Sequence, residues 1–104
     1  VGRGRLRSTL DGGDLTHGDG LELAGSTLWA VQNATDTITR WALSDDYTTA
    51  TRTRHVTDES LGLPTTLVRR DNCTLVVSSQ FDKGGPMGPG TPTTPFKVVA
   101  VDGI

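Results

Sequence analysis

One internal offset constrains this chain more than any other feature. Moving the sequence by 47 residues lays Leu21 on Val68, Gly25 on Asn72, Thr27-Leu28 on Thr74-Leu75, Ala30 on Val77 and Asn33 on Gln80. Beyond that point the spacing differs. Four residues separate Asn33 from Ile38, and fifteen separate Gln80 from Phe96, after which Ile38 to Leu43 matches Phe96 to Val101. Every matched segment is short and alternates with period two, the signature of strands. Leu28 and Ala30 share one face of their segment, and Trp29 and Val31 share the other. In the next, Ile38 and Ala42 oppose Trp41 and Leu43. A strand apolar on both faces needs cover on both faces. One small sheet cannot supply that cover, so like sheets must stack. A period in the mid-forties, with three or four antiparallel strands per unit, predicts an all-β fold of two consecutive β-propeller blades.

Composition supports strands over helices. The 104 residues include 17 Thr and 13 Gly, residues of strands and turns, and no window carries a helical apolar stripe. Strands are predicted at 20–24, 27–33, 37–43 and 48–57 in the first unit, and at 66–70, 74–80 and 96–102 in the second. The alternating Arg3 to Leu10 segment is an additional outer strand, of the sort that completes a blade begun elsewhere. The chain thus divides into 1–14 (outer strand and turn), 15–60 (first full blade) and 61–104 (last blade, with a long loop at 81–95). Two blades do not close a ring. The expected partners are the remaining blades of the same protein or further copies of this chain, three of which make six blades.

Charge and motifs exclude several function classes. A net charge of −2 provides no bulk field for nucleic acid or an anionic membrane. No phosphate loop, nucleotide fingerprint, nucleophilic triad or apolar membrane-length run is present. Cys73 is the single cysteine, so neither an internal disulfide nor a zinc spacing pattern exists. The Thr-rich composition leans towards an extracellular or periplasmic setting.

The order and spacing of "HGDGLEL…TLWAVQNATDTITRW" and "LPTTLVRRDNCTLVVSSQF…PFKVVAVDG" resemble the last two blades of six-bladed propellers of the senescence-marker/gluconolactonase/regucalcin group. The likeness runs from about Leu15 to the end. It implies a hydrolase of sugar lactones or small esters, with calcium or zinc held in the central channel by carboxylate and Asn side chains from several blades. One such ligand is the Asp of an Asp-Gly pair opening a late blade, the position occupied here by Asp19-Gly20. The alternatives are a non-catalytic propeller used as a binding scaffold and a ring assembled from two-blade units.

Strand alternation places the candidate residues on one rim. The loop entering each innermost strand and the loop between the second and third strands lie on the same side. Asp19, the turn from Asn33 to Thr37 and the Pro- and Gly-rich loop from Phe81 to Pro95 therefore share a face. Asp19 is the candidate metal ligand. His17, two residues earlier in an extended segment, would share its side and is the second candidate metal ligand. Gln32, Asn33 and Gln80 end second strands near that rim and suit a polyhydroxy substrate, and Met87 at the loop's centre suits its apolar part. Trp29 and Trp41 lie within strands apolar on both faces and are predicted core.

Overall fold

The computed structural model describes residues 7–80, 83–85, 88–92 and 96–104. The chain is all-β, with two short 3-10 turns at Asn33–Thr35 and Glu59–Leu61. The first sheet holds β1 (Thr9–Asp11), β2 (Gly18–Ala24), β3 (Thr27–Gln32), β4 (Thr37–Leu43) and β5 (Thr49–Thr57), in the order β1-β5-β4-β3-β2. The second holds β6 (Pro64–Arg70), β7 (Cys73–Ser78) and β10 (Val98–Asp102), in the order β10-β7-β6. Between β7 and β10 a small ladder joins β8 (Lys83–Gly85) to β9 (Gly88–Pro89). Among the described residues no helix is long and apolar enough to cross a membrane.

The two sheets are copies, and ladder register corrects the offset to 46. Gly18 pairs Gln32 and Leu21 pairs Ala30, with a bulge between. Pro64 pairs Ser78 and Leu67 pairs Val76, with a bulge in the same place. Both two-residue hairpin connections put a positive φ at their first residue, Gly25 and Asp71, and both inner strands are preceded by a positive-φ residue, His17 and Leu63. Each of these pairs differs by 46. The third strand confirms the scheme with a longer offset: Val31 pairs Ile38, whereas Val77 pairs Val98, so Ile38 matches Val98 and not Phe96. The one-residue correction matters because in a strand it exchanges the faces. Leu21 corresponds to buried Leu67, not to exposed Val68.

With the register settled, the stacking is head to tail. On the first sheet Trp29 lies beside Arg40, and Val31 beside Ile38 and then Val56, all on one face. On the second, Leu67, Val76 and Val99 lie across one face, followed by Arg69, Thr74 and Val101. These two faces meet. Trp29, Val31, Ile38, Leu61, Leu67, Val76 and Ile104 form the buried core, with Val56, Val99 and Val101 packed against it. The counterparts of Trp29 and Val31 at the offset of 46 are Leu75 and Val77, which point away from the core. The sheets therefore join by opposite faces of the repeat, as stacked plates do.

Trp29 is the hinge pin of that contact. Its indole Nε1 donates to the Ile104 main-chain oxygen at 2.9 Å, and the Arg69 guanidinium lies 4.4 Å from the ring centroid. Arg40 donates to the same Ile104 oxygen at 3.0 Å. Removing about 200 Å² of indole from water stabilises by roughly 5 kcal/mol, against about 1 kcal/mol for a cation over a ring. Burial dominates, and the polar contacts fix the angle. Trp41, also fully buried, lies on the opposite face of the first sheet, with its Nε1 donating to Thr39 Oγ1 at 2.8 Å.

The N-terminal strand has a different partner from the one its sequence suggests. Its described part, β1, pairs in parallel with β5, Leu10 opposite Ala50, and extends the first sheet. Residues 12–16 then pass from the outer edge to the inner one. Gly12 and Gly13 pass the Arg52 side chain, and the Thr16 carbonyl accepts from Gln32 Nε2 at 2.9 Å. Among the described residues the second sheet has three strands, so the two units as described are unequal in strand number.

At the inner end the sheets approach backbone to backbone. A Cβ on Gly20 would sit 2.6 Å from the Thr66 Cα and 2.8 Å from the Thr65 oxygen, closer than real Cβ contacts. Any side chain there drives the strands apart. Gly20→Val is expected to lower stability by about 2 kcal/mol, the scale of overpacking, read as a reduced urea midpoint. An unchanged midpoint would show that the seam closes elsewhere.

Candidate functional site

The rim where β2 begins gathers four stretches of chain. They are the entry to β2, the turn from Asn33 to Asp36, the link from Asp58 to Leu63 between the sheets, and the end of β7. Main-chain bonds tie them together. Asn33 N donates to the His17 oxygen at 3.0 Å, Asp58 N to the Asp36 oxygen at 3.0 Å, and Gln80 N to the Gly62 oxygen at 3.0 Å. Side chains complete the web. Asp36 Oδ1 accepts from Leu63 N at 2.7 Å, and Ser79 Oγ donates to the Leu63 oxygen at 2.6 Å.

Asp19 sits in the bulge of β2. Gly18 opposes Gln32 and Leu21 opposes Ala30, so Asp19 and Gly20 together face Val31. Bulges re-aim side chains, and here the carboxylate stands exposed at the rim. Asn33 Nδ2 donates to Asp19 Oδ2 at 3.4 Å. The strand entering and the strand leaving thus bring a carboxylate and a carboxamide together, as the rim argument from sequence requires.

His17 does not extend the strand. Its φ is 58, and the regular strand starts at Gly18. The alternation that put it on the same side as Asp19 does not operate through a left-handed residue. Gln32 is buried, and its amide holds the crossing segment at Thr16. Gln80, with φ 53, lines a groove at the junction of the sheets, together with Asp36, Glu59, Lys83 and Lys97. Met87 lies outside the described residues.

Sequence reasoning passed over the groove's charged lining. Lys83 and Lys97 are the only two lysines of the chain, and both border it. Their position at either end of the Gly- and Pro-rich insertion was the available signal. Asp58 was a second. It precedes the 3-10 turn Glu59–Leu61 and accepts from Ser60 N at 2.9 Å, as a capping Asp does. Gly62, with φ 55, closes that turn in the left-handed region.

The electrostatics set limits on chemistry. Among the described residues no three His, Cys, Asp or Glu side chains gather to hold a metal ion. Among the described residues Asp19 and Asn33 are therefore at most a partial donor set. Desolvation, with Asp102 beside it, pushes the Cys73 thiol above its ordinary value, which works against thiolate chemistry. Ser60 hydrogen bonds hold the Asp58 carboxyl below its usual range. Asp14 is lowered by Thr16, and Asp46 by Thr48 and Ser44.

No protein-family model, curated protein or solved structure matches the chain.

The Asp58 shift has a signed consequence. A carboxyl lowered in the folded state contributes stability above its unfolded value, and that contribution is lost as pH falls through the folded value. Acidification below about pH 4 is expected to lower the urea midpoint. Asp58→Asn, which keeps a capping oxygen, should flatten part of that decline. A decline of identical slope in the variant would remove Asp58 from the acid response.

Proposed function

We propose that this chain forms two consecutive blades of a β-propeller of the gluconolactonase/regucalcin kind, and that Asp19 and Asn33 supply part of a divalent-cation site used to hydrolyse a sugar lactone or small ester. The observation that carries this is the Asp19–Asn33 pair at 3.4 Å, raised by a bulge beside the close seam at Gly20. Head-to-tail stacking of two sheets with a common register supports the blade reading. Stacking of that kind, continued, brings successive inner strands around one axis.

The donor chemistry fits a hard cation. A carboxylate and a carboxamide oxygen suit calcium or magnesium, whereas zinc prefers His and Cys. Calcium is therefore the favoured ion, with its other ligands on blades outside this chain. When bound, such an ion polarises a lactone carbonyl and lowers the pKa of water. Asn33 keeps the Asp19 carboxylate oriented, and the web around Asp36 and Leu63 keeps Asn33 in place. Opening a lactone releases a carboxylate, and Lys83 and Lys97 on the neighbouring groove are placed to attract it. Gln80 offers a carboxamide to substrate hydroxyls.

A binding scaffold without catalysis is the second reading, favoured by the two-donor limit of the described rim. One variant separates the two. In the protein carrying all its blades, Asp19→Asn is expected to weaken calcium binding on the order of tenfold or more in calorimetry, and to slow lactone hydrolysis with it. Unchanged calcium affinity would remove Asp19 from the site. Weakened binding in a protein that hydrolyses no lactone would favour the scaffold.

A further inference from the structure

The outward face of the second sheet is apolar and, among the described residues, uncovered. Val68 lies beside Leu75 and then Ala100, and Val77 beside Val98. Val68 is 48% exposed and Val98 64%, and Phe96, just ahead of β10, is 58% exposed. The matching face of the first sheet is already closed. Ala30, Thr39 and Trp41 on it are 0% exposed, beneath the crossing segment at residues 12–16.

One end of the open face is charged, with both signs. Arg70, Cys73 and Asp102 are neighbours across β6, β7 and β10, and Arg70 and Asp102 are both exposed. The two charges flank the central strand and lie about 10 Å apart, two strand spacings. We infer that a second copy of this chain covers this face with its own, about a two-fold axis running along β7.

That rotation lays β6 of one copy over β10 of the other and β7 over β7, with like ends together. Arg70 of each copy then faces Asp102 of the other. Leu75 and Val77 meet their own counterparts, and Val68 meets Ala100. An axis across the strands would instead press the charged row onto Val77 and Val98, burying charge without a partner. An isologous contact needs a self-complementary patch. Opposite charges on either side of the central strand make this patch one. Sheets packed face to face lie about 10 Å apart with their strands some 30° from parallel, an offset the long Arg side chain spans. Three strands and five residues give a patch of roughly 15 by 17 Å. That is small beside the ~800 Å² per partner of a standard interface, so the dimer is weak, with a dissociation constant on the order of 10–100 µM. Both copies use the same face, so assembly stops at two.

Sedimentation equilibrium on the chain, from about 10 µM to about 1 mM, tests this. The mass is expected to rise towards two chains and no further. Arg70→Glu sets like charges opposite each other, and so does Asp102→Arg. Each alone should weaken dimerisation by about tenfold or more. Mixed one to one, the two variants regain opposite charges at both contacts and should pair as tightly as the wild type. Val98→Glu, at the most exposed position of the patch, should be a monomer, and Val68→Glu replaces it if that variant loses its strand circular dichroism. A wild-type monomer at every concentration would overturn the proposal and leave the face to a further blade. Mass climbing beyond two chains would also overturn it. So would single charge variants that dimerise like the wild type, or a mixture no tighter than its parts. None of these results bears on the cation reading, since Asp19 lies at the rim of the other sheet.

Discussion

Everything in this molecule depends on the contact between two unlike faces of one repeated sheet. The strands β3 and β4 are apolar on both sides, so neither sheet is dry alone. Sealing one side of the first sheet takes Leu61, Leu67, Val76 and Ile104 from elsewhere in the chain. Gly20 then lets the strand backbones close at the inner end. The hydrophobic term sets the stability of this contact, while directional bonds from Trp29 and Arg40 to Ile104 set its geometry.

The rim inherits its order from that contact. Asp36 bonds to the link at Leu63, Gly62 receives Gln80, and Asn33 receives its place from His17. The first two of these bonds tie a turn of the first sheet and the end of β7 to the linker, while the third lies within the first sheet. The groove side of the rim is therefore positioned by sheet stacking, whereas the Asp19–Asn33 pair is held within the first sheet. This couples the groove beside Asp36 to packing some distance away.

Much of the architecture was legible because period-two alternation is a strong signal when both faces are apolar. The strands Thr27–Gln32, Thr37–Leu43 and Thr49–Thr57 fall within a residue or so of their expected bounds. Similarity of Thr27-Leu28 to Thr74-Leu75 favours an offset of 47, one more than the ladder register has, because it outweighs turn chemistry. Asp71 takes the positive φ that Gly25 takes in the first hairpin, a conformation Asp tolerates but does not single out as Gly does. The parallel seat of β1 beside β5 was hidden as well, since a three-residue strand carries too little pattern to choose an edge. At the rim, the Asp19–Asn33 meeting followed from strand direction alone. The lysines of the groove did not, because their position depends on how the insertion between β7 and β10 folds.

The two tryptophans of this chain occupy environments that differ in kind. One indole lies under a guanidinium at the junction of the sheets, while the other is sealed against a threonine hydroxyl on the opposite side of a single sheet. Fluorescence from the first is a built-in gauge of the gap between plates, and fluorescence from the second records only the integrity of its own plate. Loosening of the stack and melting of a sheet therefore carry separate optical signatures in the unlabelled polypeptide.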